Sequence, residues 1–190
     1  LIVGPVEESV KLLAVRLYAF RDDRFDAVID GAVYGAMAGL GFATIENALY
    51  IVQSTEMVSG TLRAINEGSG ITAIRALAGP GHVIYSAFAG YYLGLAKFNR
   101  EHRGPLVIKG LLIASFIHAV YNSTIGIGTT LISAGTGLPG IVSFLLYVIV
   151  YDGFWGYLLF KKIRAYRLAF DSANTRRQAA TDSAFEYDTG

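Results

Sequence analysis

Residues 110–132, GLLIASFIHAVYNSTIGIGTTLI, decide the fold class, because they are long and apolar enough to cross a bilayer as one helix. They contain no formally charged side chain and one histidine, His118. A helix needs about 20 predominantly apolar residues to cross a hydrocarbon core of about 30 Å. Four other stretches meet or approach that length: residues 1–20, 31–54, 71–98 and 138–160. The sequence therefore predicts an all-α fold, a polytopic transmembrane helix bundle with about five spans.

The composition excludes several other classes of protein. Of the 190 residues, 53% are hydrophobic and only 16% are charged, whereas soluble domains usually carry about 25% charged residues. A net charge of +1 offers no broad basic surface, so we expect no nucleic-acid partner. The chain has no cysteine, which excludes disulfides, thiolate metal sites and a cysteine nucleophile.

The loops and ends of the predicted spans indicate an orientation. Lysine and arginine are frequent in the first and third loops and after the fifth span, whereas the second loop has Arg63 alone and the fourth has none. Under the positive-inside rule, this alternation predicts a multi-pass protein of the cell membrane with a cytoplasmic C-terminus. Residues 169–190 are polar, and we expect them to form a disordered cytoplasmic tail after a transmembrane domain of residues 1–168. Because the chain begins at Leu1 without a signal peptide, we also expect it to be N-terminally truncated.

Several ionisable side chains lie within the predicted spans. They are Glu7, Glu8 and Lys11 in the first span, Glu46 in the second, His82 in the third and His118 in the fourth. A charged side chain at mid-membrane costs about 2.5 to 3.5 kcal/mol when it faces lipid. These groups must therefore face the bundle interior, pair with one another or line a wet cavity. At about 100° per residue, the three in the first span share one helical face, and we expect four helices to deliver the whole set to one layer.

Glycines at four-residue spacing predict that helices approach closely in the second and third spans. These glycines are Gly31, Gly35 and Gly39 in the second span and Gly90 and Gly94 in the third. A proline also lies two residues before His82. Because Pro80 lacks a backbone donor, we expect the helix to open beside the histidine.

The polar set favours hydrolysis by an activated water molecule. No serine is obviously paired with a base, so a serine-protease arrangement is not indicated. A buried carboxylate can act as general base, while His118 and Asn122, four residues apart on one face, could stabilise the oxyanion of a tetrahedral intermediate. Amide hydrolysis fits this set. The same glutamates and histidines could instead hold a divalent metal in a site assembled from separate helices.

Four ordered motifs resemble those of a known family. Residues 7–11, EESVK, resemble the EExxK motif of the PrsW family of intramembrane proteases, and residues 42–46, FATIE, resemble its FxxxE motif. His82 and His118 resemble its two later histidine motifs, and the resemblance covers about residues 4–125. It implies a bacterial or archaeal multi-pass peptidase that cuts single-pass, membrane-anchored substrates, such as anti-sigma factors, within the lipid bilayer.

The resemblance also implies roles for individual residues. Glu7 and Glu8 would activate water, and His82 would assist as ligand or acid. His118 and Asn122, which resemble the HxxxN motif of the related CAAX-protease superfamily, would hold the oxyanion. The implied catalytic set is Glu7, Glu8, His82, His118 and Asn122, and the implied metal ligands are Glu46, His82 and His118. The expected cofactor is a divalent metal, zinc, unless the enzyme uses a glutamate mechanism without metal, and the sequence leaves both open.

Two other functions fit the residues. Intramembrane glutamate and histidine also build proton relays, so the bundle could be a proton- or ion-coupled transporter, although the chain has no internal repeat of the kind that inverted-repeat transporters show. A catalytically silent scaffold that binds membrane partners is the second alternative.

Overall fold

A computed structural model gives the fold as a set of α-helices. It describes the backbone of residues 2–56 and 61–188 and the side chains of residues 2–52 and 79–180. These residues contain no strand, so the predicted all-α class is confirmed. The helices are α1 (Val3–Tyr18), α2 (Val28–Glu56), α3 (Thr61–Phe98), α4 (Arg103–Thr136) and α5 (Gly140–Asp188).

Three segments of the described chain are long and apolar enough to cross a membrane: Val28–Val52, Arg103–Thr136 and Gly140–Ala180. Helix α1 has 16 residues, fewer than the about 20 of a full span. Arg63, which the sequence placed in a loop, falls within α3 instead, and its side chain lies outside the described residues. A helix is present at each of the five predicted stretches, and the chain is a helical membrane bundle.

A row of glycines joins α2 to α3 at backbone-to-backbone distance. A methyl group built on Gly35 would collide with the carbonyl oxygen of Ser86, and one on Gly39 with the carbonyl oxygen of His82. The same kind of collision is found for Gly31, Gly90 and Gly94. The predicted close approach at the small-xxx-small spacing is therefore confirmed. It also holds the backbone of His82 directly against α2.

Helix α1 packs against α2, α3 and α4. Its first turn lies on α4 because Gly4 has no side chain. A methyl group there would be 3.2 Å from the backbone nitrogen of Ala119 and 3.4 Å from Cβ of His118. This contact brings the next turn of α1, which carries Glu7 and Glu8, to the side of His118.

Helix α3 runs through Pro80 without a break. The expectation that the helix opens beside His82 is therefore wrong. A proline removes one backbone hydrogen bond, but membrane helices tolerate it where neighbouring groups hold the backbone in place. Here the close contact with Gly39 holds α3 at His82.

Helix α5 is shared by two compact units, residues 1–155 and residues 156–190. In the first unit, α5 is anchored to α4 by tyrosine hydroxyls. The hydroxyl of Tyr147 lies 2.5 Å from Oγ1 of Thr124, and Tyr151 donates a hydrogen bond of 2.7 Å to the carbonyl oxygen of Ile117.

In the second unit, α5 continues as a helix in which every residue from 167 to 180 is exposed. The segment expected to be a disordered tail, residues 169–190, is helical through Asp188. The physical reason is that residues 169–189 contain neither proline nor glycine, while the alanine, arginine and glutamine residues in this segment favour helix. The domain boundary at residue 168 and the cytoplasmic location stay predictions.

Candidate active site

The ionisable side chains of α1 point together into the bundle. The Lys11 ammonium nitrogen lies 2.7 Å from Oε1 of Glu8 and 3.6 Å from Oε2 of Glu7. The same nitrogen lies 4.4 Å from the centre of the Phe42 ring on α2. Lys11 is buried, so its charge is compensated inside the protein by the two carboxylates of its own helix.

Glu8 is completely buried and has a partner on each of its oxygens. Oε1 accepts a hydrogen bond from Lys11 and lies 3.1 Å from Nδ1 of His118, and Oε2 accepts one of 2.9 Å from the hydroxyl of Ser86. These partners come from α1, α4 and α3. A buried carboxylate is costly unless it is paired and hydrogen-bonded. Glu8 therefore ties three helices together around a compensated charge.

His82 bridges the lysine of α1 and a glutamate of α2. Its Nδ1 lies 2.9 Å from the Lys11 nitrogen, and its Nε2 lies 3.1 Å from Oε2 of Glu46. Its ring meets the ring of His118 edge to face, with centroids 4.9 Å apart. The two histidines thus lie side by side, although they come from different helices.

Glu7 completes a group that could hold a metal ion. Its Oε2 is buried, accepts no hydrogen bond from the described residues, and lies 3.8 Å from Nε2 of His118 and 3.9 Å from Nδ1 of His82. One donor atom from each of the three residues lies within 4.8 Å of the others. Ligand atoms of a tetrahedral site with bonds of about 2.1 Å are about 3.4 Å apart. The two distances from Glu7 therefore need to shorten by about 0.5 Å around an ion, and the two histidine nitrogens need to approach each other by up to about 1.4 Å.

The surroundings of the two histidines also fit a metal. A ligating histidine usually directs its second ring nitrogen at a carboxylate or carbonyl group. Here Nδ1 of His118 lies 3.1 Å from Glu8, and Nε2 of His82 lies 3.1 Å from Glu46. Three protein donors leave a fourth position open, as catalytic sites do. Lys11 stands beside Nδ1 of His82, so an ion bound to that nitrogen requires the ammonium group to move.

Two of the predicted site residues, Glu46 and Asn122, lie outside the group formed by Glu7, His82 and His118. Glu46 contacts the His82 nitrogen that does not face Glu7. Asn122 is exposed, and no contact among the described residues joins it to the glutamates and histidines. Four residues on a helix advance the chain by about 6 Å, which carries Asn122 past the layer of His118. The metal-ligand role of Glu46 and the oxyanion role of Asn122 stay predictions.

The structure adds a buried carboxylate that the sequence reasoning did not assign. Asp152 of α5 accepts a hydrogen bond of 2.9 Å from the hydroxyl of Tyr85, whose ring centroid lies 5.4 Å from that of His118. The second oxygen of Asp152 is buried and accepts no hydrogen bond from the described residues. The sequence could have indicated Asp152, because it is the single charged residue in an otherwise apolar predicted span. Tyr85 carried no such signal, because tyrosines are frequent in this chain.

Fold and site together define a class: a helical membrane protein with a buried glutamate and histidine centre that could hold a metal ion. A sequence profile described as PrsW family intramembrane metalloprotease matches residues 1–154. The chain belongs to this family, and the resemblance drawn from its four motifs is confirmed.

Relatives of the chain carry the name Protease PrsW. The one from Geobacillus kaustophilus is 35% identical over 117 residues, which cover 62% of this chain and 47% of that protein. The one from Halalkalibacterium halodurans is 28% identical over 123 residues, covering 65% and 52%. The one from Bacillus subtilis is 29% identical over 164 residues, covering 85% and 65%. This chain spans about half the length of the first two. No solved structure matches it significantly.

Proposed function

We propose that this chain is the membrane-embedded catalytic part of an intramembrane peptidase that hydrolyses single-pass, membrane-anchored proteins, with anti-sigma factors as the substrate class. The observation that carries the proposal is the position of one carboxylate oxygen of Glu7, Oε2. This oxygen is buried, accepts no hydrogen bond from the described residues, and faces one nitrogen each of His82 and His118. Membership of the PrsW family supports the same activity.

Glu7, His82 and His118 are the residues that would hold the metal, for which we propose zinc. A bound divalent ion would polarise the scissile carbonyl group and ease deprotonation of a water molecule. The chain itself contributes orientation. Glu8 fixes the His118 ring through Nδ1, and Glu46 fixes the His82 ring through Nε2. Both rings thereby present their remaining nitrogen toward Glu7.

The glutamates differ in their access to a substrate. The side chain of Glu8 is 0% exposed, whereas those of Glu7 and Glu46 are 14% and 18% exposed. Water and a peptide bond therefore approach the cluster of buried glutamates and histidines from the side of Glu7 and Glu46. Because Glu7 is a proposed metal ligand, we assign proton transfer to Glu46 and a positioning role, through His118, to Glu8. Asn122 keeps its proposed oxyanion role only if substrate binding brings it to the cluster.

Metal content and cleavage, measured on the same samples, test the proposal. The protein is purified in lipid, its zinc is counted by mass spectrometry, and cleavage of a panel of single-pass substrates is followed. We expect Glu7→Gln to lose zinc and cleavage together. Glu8→Gln should weaken metal binding about 10- to 100-fold, because the proposed ligand His118 loses the carboxylate that orients its ring. Asp23→Asn, an exposed carboxylate outside the cluster, is the matched control and should behave as wild type.

The remaining variants separate the alternatives. Asn122→Ala should reduce the cleavage rate without changing zinc content if its side chain reaches the substrate. Cleavage that survives complete removal of metal would replace the zinc proposal with a glutamate mechanism. No cleavage of any substrate by a zinc-loaded, folded protein would contradict the peptidase and favour a transporter or a scaffold.

The cell membrane as location and a cytoplasmic C-terminus are part of the proposal. Because the chain has no cysteine, a single introduced cysteine can be labelled without background. We expect Ser172→Cys in intact cells to resist a membrane-impermeant maleimide. Gly135→Cys, at the end of α4, should react with it. Both positions are exposed, so burial cannot explain a difference, and the opposite labelling pattern would invert the orientation.

A further inference from the structure

A basic cavity lies where α1 ends and where α3 passes into α4, separate from the glutamate and histidine cluster. Its volume is about 690 Å³, and its walls include Phe20, Lys97, Arg100 and Arg103. One carboxylate, Glu101, also lines it. The cavity thus carries three basic side chains against one acidic side chain.

Two of these basic side chains, Lys97 and Arg103, lie around one aromatic ring together with Arg16 of α1. The guanidinium carbon of Arg16 lies 4.2 Å from the centre of the Phe20 ring, Lys97 Nζ lies 5.5 Å from it, and the guanidinium carbon of Arg103 lies 5.8 Å from it. Cations within about 6 Å of a ring centre are attracted by its π electrons. Phe20 therefore holds three mutually repelling cations close together.

Among the described residues, no carboxylate oxygen lies within salt-bridge distance, 4.0 Å, of Arg16, Lys97 or Arg103. Lys97 donates to the backbone carbonyl of Asp22 at 3.4 Å, and Arg103 donates to that of Ala96 at 3.2 Å. The carboxylate of Asp22 is committed to Arg24, which donates to both of its oxygens at 2.9 and 2.8 Å. Hydrogen bonding by Arg24 holds the pKa of Asp22 well below its usual range. The positive charge of the cavity thus remains available to an anion.

An apolar groove leads away from the cavity along the same three helices. Its volume is about 220 Å³, and its lining includes Leu12, Arg16, Leu93, Val107 and Leu111. On each helix the groove residue lies one turn from a cavity residue. Arg16 precedes Phe20, Leu93 precedes Lys97, and Val107 follows Arg103. The groove therefore extends from the cavity along α1, α3 and α4, away from the ends of these helices.

We propose that the cavity and the groove together bind one anionic phospholipid. Lys97, Arg100 and Arg103 hold the headgroup phosphate, because guanidinium and ammonium groups donate strong hydrogen bonds to phosphate oxygens. An acyl chain lies in the groove beside Leu93 and Val107. Basic pockets between membrane helices are suited to acidic headgroups. The adjoining apolar groove selects a lipid over a soluble phosphate.

Native mass spectrometry of the purified, delipidated protein tests the site. Dioleoylphosphatidylglycerol, dioleoylphosphatidylcholine and glycerol 3-phosphate are titrated separately, and thermal unfolding checks that each variant is folded. We expect one phosphatidylglycerol to bind at least about tenfold more tightly than phosphatidylcholine. Removal of one cation should weaken that binding about fivefold in Arg100→Gln. Arg100 is exposed, and no described contact depends on its side chain.

Two further variants complete the test. Arg164→Gln removes an exposed cation outside the cavity and should leave lipid binding unchanged. Val107→Phe fills the groove and should weaken phosphatidylglycerol binding without reducing that of glycerol 3-phosphate. Equal binding of the two lipids, or an unchanged affinity in Arg100→Gln, would overturn the site. Glycerol 3-phosphate binding as tightly as phosphatidylglycerol would overturn the lipid as its occupant.

Discussion

Two adjacent glutamates in one turn of α1 have different environments. Glu8 is closed off by a lysine, a histidine and a serine, and both of its oxygens are occupied. Glu7 has one buried oxygen that accepts no hydrogen bond from the described residues. The difference arises because successive residues on a helix point about 100° apart. One carboxylate therefore faces the helix contacts and the other faces the space between the histidines.

Replacement of Lys11 should have opposite effects on the stability of the protein and on its affinity for metal. We expect Lys11→Met to destabilise the metal-free protein by about 3 to 5 kcal/mol, because Glu8 would remain buried without its cation. We also expect tighter zinc binding by about tenfold or more, since a positive charge beside the ligands is removed. The free energy of unfolding from detergent titration and the zinc affinity from calorimetry check the two expectations.

Zinc should therefore restore much of the stability that Lys11→Met loses. Lys109→Met, an exposed lysine of α4, is the matched control and should change neither quantity by more than about 0.5 kcal/mol. Unchanged zinc affinity in Lys11→Met would show that the ammonium group does not compete with the ion.

Tyr85 links the cluster to the buried carboxylate of α5. We expect Tyr85→Phe to destabilise the protein by about 1 to 3 kcal/mol, because the buried carboxyl group of Asp152 would lose its hydrogen-bond donor. Asp152→Asn keeps an acceptor for the Tyr85 hydroxyl, so its effect should be smaller. Detergent unfolding of the two variants compares their losses of unfolding free energy. A larger loss for Asp152→Asn than for Tyr85→Phe would contradict this account.

At the scale of elements, the contact between α2 and α3 determines where His82 lies. Gly35 and Gly39 allow the two backbones to touch, and the carbonyl group of His82 is one of the atoms touched. Small residues are effective here because helix association within lipid depends on close packing rather than on a hydrophobic driving force.

Two glycines of α2 make a matched pair for testing this contact. A methyl group on Gly35 would collide with Ser86, whereas one on Gly41 would meet nothing within 4 Å. We expect Gly35→Ala to destabilise the protein by about 1 to 3 kcal/mol through overpacking. Gly41→Ala should be neutral or stabilising by up to about 1 kcal/mol, because alanine favours helix. Similar effects of both substitutions on detergent unfolding would show that the contact is not tight.

At the scale of the whole molecule, the chain divides into residues 1–155 and residues 156–190. The cluster, the basic cavity and the single tryptophan, Trp155, belong to the first unit. In the second unit, every residue from 167 to 180 is exposed along a continuing helix. Such a helix has no buried face to contribute to stability.

Deletion of residues 169–190 should therefore leave the first unit unchanged. We expect its free energy of unfolding, followed by Trp155 fluorescence, to change by less than about 0.5 kcal/mol. A substantial loss of stability would mean that this segment supports the first unit.

The sequence by itself determined that the chain forms apolar helices, that they cross a membrane, and that the glutamates and histidines converge. The physical reason is that a charge facing lipid is too costly to leave unpaired, so hydropathy and spacing were sufficient. The tertiary structure alone decided which atom meets which. It placed Glu8 among three partners, left one buried oxygen of Glu7 without a hydrogen bond from the described residues, added Tyr85 and Asp152, and left Asn122 exposed. These contacts depend on the rotation of each helix about its axis and on its crossing with its neighbours, which the periodicity of a single helix does not fix.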